Sequence, residues 1–244
     1  MKEIHIKDKL VEIGMPIEDI TLGDFDVIGH YTAYKNRPTN SDLYKKVGCF
    51  FRPNYERGIL IYSLIKKYKL KSYLEIGYGR GFSSMCAAKA FSELGEGKIV
   101  SVDPIFNEEE IKRISSVFGR DYINPCSFVH ATSQEYLPSL EEDFDLIYID
   151  GDHRYDAVKH DWEHTKDRFS RFLLFDDYHK EQKQAEIECS KLIDEIEDDS
   201  KELIIMDRRI FMDDRSLSDD EINYGQVLLT KKESKKKAKK KKKK

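Results

Sequence analysis

Ser72-Tyr-Leu-Glu-Ile-Gly-Tyr-Gly-Arg-Gly-Phe82 is the most informative segment of this 244-residue chain. A short apolar run ends at Glu75, and three glycines follow at alternate positions. Apolar residues then recur at helical spacing, at Cys86, Ala87, Ala90, Phe91 and Leu94. This order predicts a strand, a tight glycine turn and a helix. Glycine permits positive φ angles and lets a ligand approach the main chain, while a helix N-terminus offers free N–H groups to an anionic group.

A second strand is predicted from Lys98 to Asp103, where Pro104 terminates it, and Asp103 lies 22 residues after Gly81. A carboxylate at the tip of the second strand of such a fold can accept hydrogen bonds from both hydroxyls of a ribose. An acid that closes a strand is common by itself. Its place behind the glycine loop favours the ribose role, and hence a nucleoside-containing ligand.

Further strands and helices alternate along the chain, which predicts an α/β fold with a seven-stranded, mostly parallel sheet and helices on both faces. The predicted strands after the first two lie near 127–131, 144–150, 171–176, 203–212 and 226–230. The predicted helices lie at 55–69, after 107 and before 118, from 155 to 169 and from 185 to 196. We interpret 1–54 as an N-terminal cap, 55–230 as the α/β domain and 231–244 as a disordered tail.

Composition limits the possible classes of protein. No apolar run reaches 18 residues and Met1–Lys7 lacks an apolar core, so neither a membrane span nor a signal peptide is expected. The four cysteines, at positions 49, 86, 126 and 189, are far apart, which predicts reduced thiols in a cytoplasmic protein.

The lysine-rich tail opposes the charge of the rest of the chain. From Lys231 to Lys244 it holds eleven lysines and one glutamate, so it contributes +10, while the remainder carries −14. Such a segment cannot bury enough apolar surface to fold. It is suited to binding nucleic acid or another acidic partner, or to acting as a nuclear import signal. A solubilising extension remains an equal alternative.

Acids and histidines follow the fourth and fifth predicted strands. One strand ends in Asp150-Gly-Asp-His153 and the next in Asp176-Asp-Tyr-His179. Because ligands bind beyond the carboxyl ends of parallel strands, these groups should meet at one edge of the sheet. Clustered carboxylates repel each other unless protons or a cation compensate, and Mg²⁺ prefers oxygen ligands. The pattern therefore predicts a magnesium site.

Two motifs resemble known methyltransferases. Glu75-x-Gly-x-Gly-x-Gly81 differs from the G-x-G-x-x-G of dinucleotide-binding proteins and resembles motif I of class I S-adenosylmethionine-dependent methyltransferases. The segments 148–161 and 174–178 resemble methyltransferase domain 24, the group that includes macrolide-sugar O-methyltransferases, and the whole resemblance covers about 56–180. It implies cofactor contacts from Glu75, Gly77, Tyr78, Gly79, Gly81, Asp103, Ser133 and Asp150. It also implies Mg²⁺ ligands at Asp150, Asp176 and Asp177.

The function implied is methyl transfer from S-adenosylmethionine to a hydroxyl of a sugar or other small polar molecule, assisted by Mg²⁺. His153 is the first candidate for the proton acceptor and His179 the second. Other roles stay open: His153 as a loop anchor, Asp177 as a helix cap and Ser133 as the cap of a short helix. Asp152 is a candidate turn acceptor. Glu56 and Arg57 have two alternative roles, an approach to the cofactor or a surface ion pair, and the ion pair is favoured.

Two rival functions are an RNA methyltransferase tethered by the basic tail and a non-catalytic module that keeps the cofactor pocket. The acidic body argues against a broad RNA-binding face, and the intact acids at both strand tips argue against decay of the site. The sequence identifies neither the methyl acceptor nor the oligomeric state.

Overall fold

The structure, a computed structural model, describes residues 1–20, 55–79, 81–105, 108–109, 111–112, 115, 120–180, 187–206 and 224–232. Several predicted segments lie outside these residues: most of the cap, the loop 213–223 and the tail beyond Lys232. Most of the helix predicted after Asn107 lies outside them as well.

Eight strands form a single sheet in the described part of the chain. They are β1 (Lys2–His5), β2 (Ser72–Ile76), β3 (Lys98–Val102), β4 (Cys126–Val129), β5 (Phe144–Ile149), β6 (Phe169–His179), β7 (Glu202–Ile205) and β8 (Tyr224–Thr230). The helices are α1 (Ile6–Glu12), α2 (Tyr55–Tyr68), α3 (Phe82–Leu94), α4 (Arg120–Ile123), α5 (Ser133–Tyr136), α6 (Tyr155–Thr165) and α7 (Cys189–Glu195). Two 3₁₀ turns occupy Ile17–Asp19 and Leu137–Ser139.

The strand order is β1-β7-β8-β6-β5-β2-β3-β4, and β8 alone runs antiparallel to its neighbours. The prediction of a mostly parallel sheet is confirmed. The eighth strand is Lys2–His5, which pairs with β7 and comes from the segment assigned to the cap. The chain winds outward from β2 to β4 and then returns to β5, so the order reverses between β2 and β5. This reversal opens a crevice at the carboxyl ends of the strands.

Side chains alternate between two apolar layers. Tyr73, Tyr148 and Leu174 share one face with buried residues of α1, α2 and α3. Leu74, Ile147 and Leu173 share the other face with residues of α6 and α7. Helices therefore cover both faces, as the near-continuous apolar strands predict.

Two predicted boundaries were wrong. The preceding helix, α6, ends at Thr165, and the N–H of the capping residue Lys166 donates to Trp162 O at 2.8 Å. Phe169 therefore lies beyond the helix and begins β6. Strand β6 also continues past Asp176 to His179, because its last residues pair with the start of β8.

Candidate active site

A cavity of about 500 Å³ lies at the crevice between β2 and β5. Five residues predicted to bind the cofactor line it: Gly77, Gly79, Asp103, Ser133 and Asp150. The wall also includes Ile76, Val102, Pro104, Ile105, Thr132, Gln134, Gly151, Asp152 and Arg154. The structure therefore brings together residues that follow four different strands.

The glycines of the loop after β2 are required for different structural reasons. A Cβ on Gly77 would lie 2.0 Å from Asp150 O, so this glycine lets the loops after β2 and β5 touch. A Cβ on Gly79 would meet nothing within 4 Å, and its φ is +53°. Gly79 is therefore the position at which the bare main chain faces the open cavity.

Gly81 and Tyr78 pack against each other away from the cavity. A Cβ on Gly81 would lie 2.3 Å from the Tyr78 hydroxyl oxygen, and the buried Tyr78 ring stacks edge-on against Phe128 at 5.2 Å. Neither residue is part of the cavity wall, so contact of these two with a cofactor stays a prediction. Their packing fixes the left-handed turn that starts α3.

Glu75 lies beneath the loop, fully buried in β2. Its carboxylate accepts hydrogen bonds from Ser84 and Ser101 (3.1 Å for Ser101) and from Tyr73 Oη at 3.3 Å. Burial raises the pKa of Glu75 to about 8, although these three hydrogen bonds act in the opposite direction. Glu75 thus joins β2, β3 and α3 beneath the loop. Its predicted contact with the methionine end of a cofactor remains untested.

Asp103 follows β3 and holds the loop from the other side. Its Oδ2 accepts a hydrogen bond from Gly79 N at 2.9 Å, and its Oδ1 accepts one from Ile105 N at 2.8 Å. Each carboxylate oxygen can accept a further bond. The side chain therefore keeps acceptor capacity for the predicted ribose hydroxyls while it fixes the glycine loop.

Ser133 begins α5 but does not cap it. Thr132 is the cap: its hydroxyl accepts from Glu135 N, and the Glu135 side chain accepts from Thr132 N, which is the reciprocal capping box. The alternative role of Ser133 as a helix cap is therefore wrong. Ser133 instead faces the cavity beside Gln134, where the resemblance predicts the edge of the adenine.

A β-bulge places the acids of β6. Phe175 pairs with Val227 and Tyr178 with Gly225, so Asp176 and Asp177 together oppose the single residue Gln226. Asp177 takes φ +50°, which is rare for a residue other than glycine. Consecutive strand residues normally point to opposite faces. The bulge lets both carboxylates reach the same side of the sheet.

Arg57 pairs with both of these carboxylates. From the first turn of α2 its Nη1 lies 2.6 Å from Asp176 Oδ2, and its Nη2 lies 2.7 Å from Asp177 Oδ1. Arg57 is buried, so the expected surface ion pair is wrong for this residue, and the side chain of Glu56 lies outside the described residues. The alternative role of Asp177 as a helix cap is wrong too, because Asp177 lies inside β6.

Tyr148 completes the hydrogen bonding around Asp176. Its hydroxyl donates to Asp176 Oδ2 at 2.7 Å and contacts Asp150 Oδ2 at 3.2 Å, and it accepts from Gln226 Nε2 at 3.2 Å. Asp176 Oδ1 is buried without a hydrogen-bond partner among the described residues. A buried carboxylate oxygen in that state is suited to a cation or a proton.

Among the residues that the structure describes, Asp150, His153 and Asp177 could together hold a metal ion, since one ligand atom from each lies within 4.8 Å of the others. Two of the three predicted ligands, Asp150 and Asp177, belong to this group. Asp176, the third, is engaged by Arg57 and Tyr148 through Oδ2 and could add only Oδ1. The set of oxygen and nitrogen donors fits a divalent cation.

The acids differ in charge preference. Burial and the neighbouring Asp176 raise the pKa of Asp150 well above its usual range, with Arg57 acting against them. Burial likewise raises the pKa of Asp176. For Asp177 burial is outweighed by Arg57, His153 and His179, which together lower the pKa. Asp177 therefore carries its negative charge most readily.

The two histidines hold different positions. His153 Nε2 lies 3.5 Å from Asp177 Oδ2, its Nδ1 lies 3.8 Å from Cys189 Sγ, and 34% of its side chain is exposed. Burial lowers the pKa of His179, and its main-chain N–H and C=O both bond to the Ser190 hydroxyl in α7.

Asp152, which precedes His153, accepts a hydrogen bond from Arg154 N at 3.0 Å, so its role as a turn acceptor is confirmed.

Sequence reasoning missed Tyr148 and Gln226, and it did not place Arg57 against the acids of β6. Tyr148 sits two residues before Asp150 in a mostly apolar strand, a position whose side chain shares a face with Asp150. That spacing was a usable signal. Nothing in the local sequence linked Arg57 or Gln226 to acids more than 45 residues away.

The sheet, the glycine loop and the crevice at the strand reversal together define the Rossmann-like fold of class I methyltransferases. Residues 74–178 match the family model described as "Methyltransferase domain", the group numbered 24. Over this stretch, which is less than half of the 244 residues, the chain is similar to S-adenosylmethionine-dependent methyltransferases of this group. No curated protein matches it.

Solved structures share the fold at low sequence identity. A putative O-methyltransferase from Klebsiella pneumoniae is 13% identical with a TM-score of 0.58, covering 93% of this chain and 98% of its own. The O-methyltransferase TomG from Streptomyces achromogenes, involved in tomaymycin synthesis and solved with SAM, is 14% identical with a TM-score of 0.57, covering 86% and 97%. An O-methyltransferase from Bacillus cereus in complex with SAH is 14% identical with a TM-score of 0.56, covering 93% and 97%.

None of the helices in the described part of the chain has the length and apolarity needed to cross a bilayer.

Proposed function

We propose that this chain is an S-adenosylmethionine-dependent methyltransferase that acts on a hydroxyl oxygen of a small polar acceptor, such as a sugar, with the assistance of a divalent cation, Mg²⁺ being the first candidate. The observation that supports this most strongly is the double membership of Asp150. It lines the cofactor cavity, and it belongs to the acid and histidine group that could hold a cation. An acceptor held at that group would lie next to the methyl donor.

S-adenosylmethionine, the methyl donor, is a substrate of the reaction. We assign the loop at Gly77–Gly79 to its amino acid end, Asp103 to its ribose and Ser133 to its adenine, because these residues line one continuous cavity. Asp103 would accept hydrogen bonds from the ribose hydroxyls with its remaining lone pairs.

The cation would be held by Asp150 and Asp177, with Asp176 Oδ1 as a further oxygen. It would supply Lewis acidity, which lowers the pKa of a hydroxyl beside it. Mg²⁺ prefers oxygen over nitrogen, so these carboxylates are favoured over His153 as its ligands. That preference leaves an imidazole nitrogen for proton transfer.

His153 is the proton acceptor in this proposal. Asp177 Oδ2 lies 3.5 Å from His153 Nε2. One third of the His153 side chain is exposed to solvent, so a proton can leave it. The acceptor oxygen attacks the sulfonium methyl carbon in line with the carbon–sulfur bond. The new carbon–oxygen bond forms as that bond breaks, the electron pair stays on sulfur, and the hydroxyl proton passes to His153.

The test is the formation of S-adenosylhomocysteine with a panel of hydroxylated acceptors, in Mg²⁺ and in excess chelator. We expect turnover with at least one sugar or polyol-like acceptor, and its loss in chelator with binding of S-adenosylmethionine retained. Activity restricted to amine or thiol acceptors would refute O-methylation. Full activity in chelator would refute the cation.

His153→Ala separates the two roles of this side chain. Loss of a general base should reduce turnover by about 10²–10⁴-fold while Mn²⁺ affinity stays near that of the wild type. A large loss of Mn²⁺ affinity would instead show that His153 is a metal ligand.

A further inference from the structure

The side chain of Arg57 reaches from α2 to β6 and contacts two acids at once. Its two terminal nitrogens lie 2.6 Å from Asp176 Oδ2 and 2.7 Å from Asp177 Oδ1. The residue is only 8% exposed, and Asp176 is 2% exposed. A guanidinium stays charged at any physiological pH, so the acid cluster contains a permanent positive charge.

The position of Arg57 is unfavourable for the helix that carries it. It is the third residue of α2, where the helix dipole disfavours a cation, and burial adds a desolvation cost. The neighbouring Gly58 allows this placement. A Cβ there would lie 2.5 Å from a ring carbon of Phe82 and 2.6 Å from Cys86 Sγ, so α2 packs against α3 only because Gly58 has no side chain.

The pairing leaves the other side of the cluster available. Arg57 uses one oxygen of Asp177, while Asp177 Oδ2 faces His153 Nε2 at 3.5 Å. Asp150, His153 and Asp177 still converge within 4.8 Å. Arg57 therefore neutralises the cluster from the α2 side, next to the point where a divalent cation would enter.

We propose that Arg57 is a built-in counter-cation of this site, which rests on the cation assistance proposed above. It holds Asp176 and Asp177 together while no divalent ion is bound, and it weakens the binding of such an ion by charge repulsion. Within a few ångströms and partly shielded from water, one positive charge changes the affinity of a dication by about ten- to a hundredfold.

The experiment compares the full-length wild type with Arg57→Met, Arg57→Lys and the control Arg168→Met. Arg168 lies at the opposite end of the sheet and pairs with Asp143 at 3.7 Å. Thermal unfolding is measured in chelator, and Mn²⁺ binding is measured by titration with electron paramagnetic resonance. Neither readout needs the methyl acceptor.

We expect Arg57→Met to lower the unfolding temperature in chelator by several degrees, to bind Mn²⁺ at least about tenfold more tightly, and to regain stability on Mn²⁺ addition. Arg57→Lys keeps the charge but not the fork that bridges two carboxylates. It should lose part of the stability and keep near wild-type Mn²⁺ affinity. Arg168→Met should change neither the Mn²⁺ affinity nor the response to Mn²⁺.

Mn²⁺ binding to Arg57→Met that is unchanged or weaker than in the wild type would overturn the counter-cation role. If the wild-type protein itself binds Mn²⁺ in that case, the proposed function still stands. Binding in Arg57→Met but not in the wild type would support the role and refute cation assistance. Absence of binding in both would refute both. If Arg57→Met does not fold, Arg57→Met with Asp176→Asn removes one charge of each sign and should fold; its failure to fold would also count against the role.

Discussion

At the scale of single residues, Glu75 combines a structural and an electrostatic role. The motif predicted an acid at this position facing the cofactor, but in the structure its carboxylate joins two serines and Tyr73 beneath the loop. A buried carboxylate is costly unless hydrogen-bond donors surround it or a proton neutralises it. The acid of this motif therefore links β2, β3 and α3 beneath the loop.

Glu75→Gln should remove a pH dependence of stability. The pKa of Glu75 rises from 4.5 to about 8 on folding. The stabilisation from its bound proton is therefore complete below pH 4.5 and is lost as pH rises towards 8. In that window it contributes a fall of up to about 1.4 kcal/mol per pH unit to the free energy of unfolding. Urea unfolding at several pH values should show the variant gaining on the wild type between pH 5 and 8.

The exposed Glu141→Gln is the matched control for that measurement, because the residue carries the same chemistry at the surface. Curves of stability against pH that run parallel for Glu75→Gln and the wild type would contradict the raised pKa.

Gly79→Ala should weaken cofactor binding beyond its effect on stability. Gly79 and Gly95 both have positive φ, +53° and +79°, and a Cβ on either meets nothing within 4 Å. Each substitution should therefore cost about 1–2 kcal/mol of stability from backbone strain. Of these two glycines, Gly79 lines the cavity and Gly95 does not. Calorimetric titration with S-adenosylhomocysteine should show at least about a tenfold loss for Gly79→Ala and none for Gly95→Ala; equal losses would exclude a direct role for Gly79.

At the scale of secondary structure, the strands were predictable and the placement of α2 was not. Apolar runs ending in acids identify β2, β3, β5 and β6 because parallel strands are buried on both faces. The bulge at Asp176 and Asp177 depends on pairing with Gln226, about 50 residues later, and no local pattern encodes it. Arg57 was unpredictable for the same reason, since an arginine in a first helical turn normally points to solvent.

Gly58→Ala should test how the packing of α2 controls the acids. Alanine gains up to about 1 kcal/mol in helix propensity, but overpacking against Phe82 and Cys86 costs about 1–3 kcal/mol, so we expect net destabilisation. Displacement of α2 should also move Arg57 away from its acids. Thermal unfolding in chelator should show the loss, and Phe82→Leu in the same chain should recover part of it by making room. A fully stable Gly58→Ala protein would show that α2 and α3 can separate without cost.

At the scale of the whole molecule, the charge of the tail is opposite to that of the rest of the chain. Strand β8 ends at Thr230 opposite Phe172, near the start of β6, whereas the acids lie near the end of β6. Twelve residues beyond Lys232 span at most about 40 Å when fully extended, which exceeds the length of β6 of about 35 Å, so distance does not keep the tail from the acids. The −14 charge of the remaining chain would instead repel a polyanion bound by the tail.

Removing residues 233–244 should thus lower affinity for RNA or heparin and reduce its salt dependence, while the unfolding temperature and turnover of a small hydroxylated acceptor stay unchanged. Filter binding at several salt concentrations, unfolding and turnover are measured on the same preparations. A tail of equal length with lysines replaced by serine separates the effect of charge from that of length. Loss of methyl transfer to RNA with no other change would favour the tethered RNA methyltransferase. A fall of more than about 1 kcal/mol in stability would show instead that the tail packs on the acidic body.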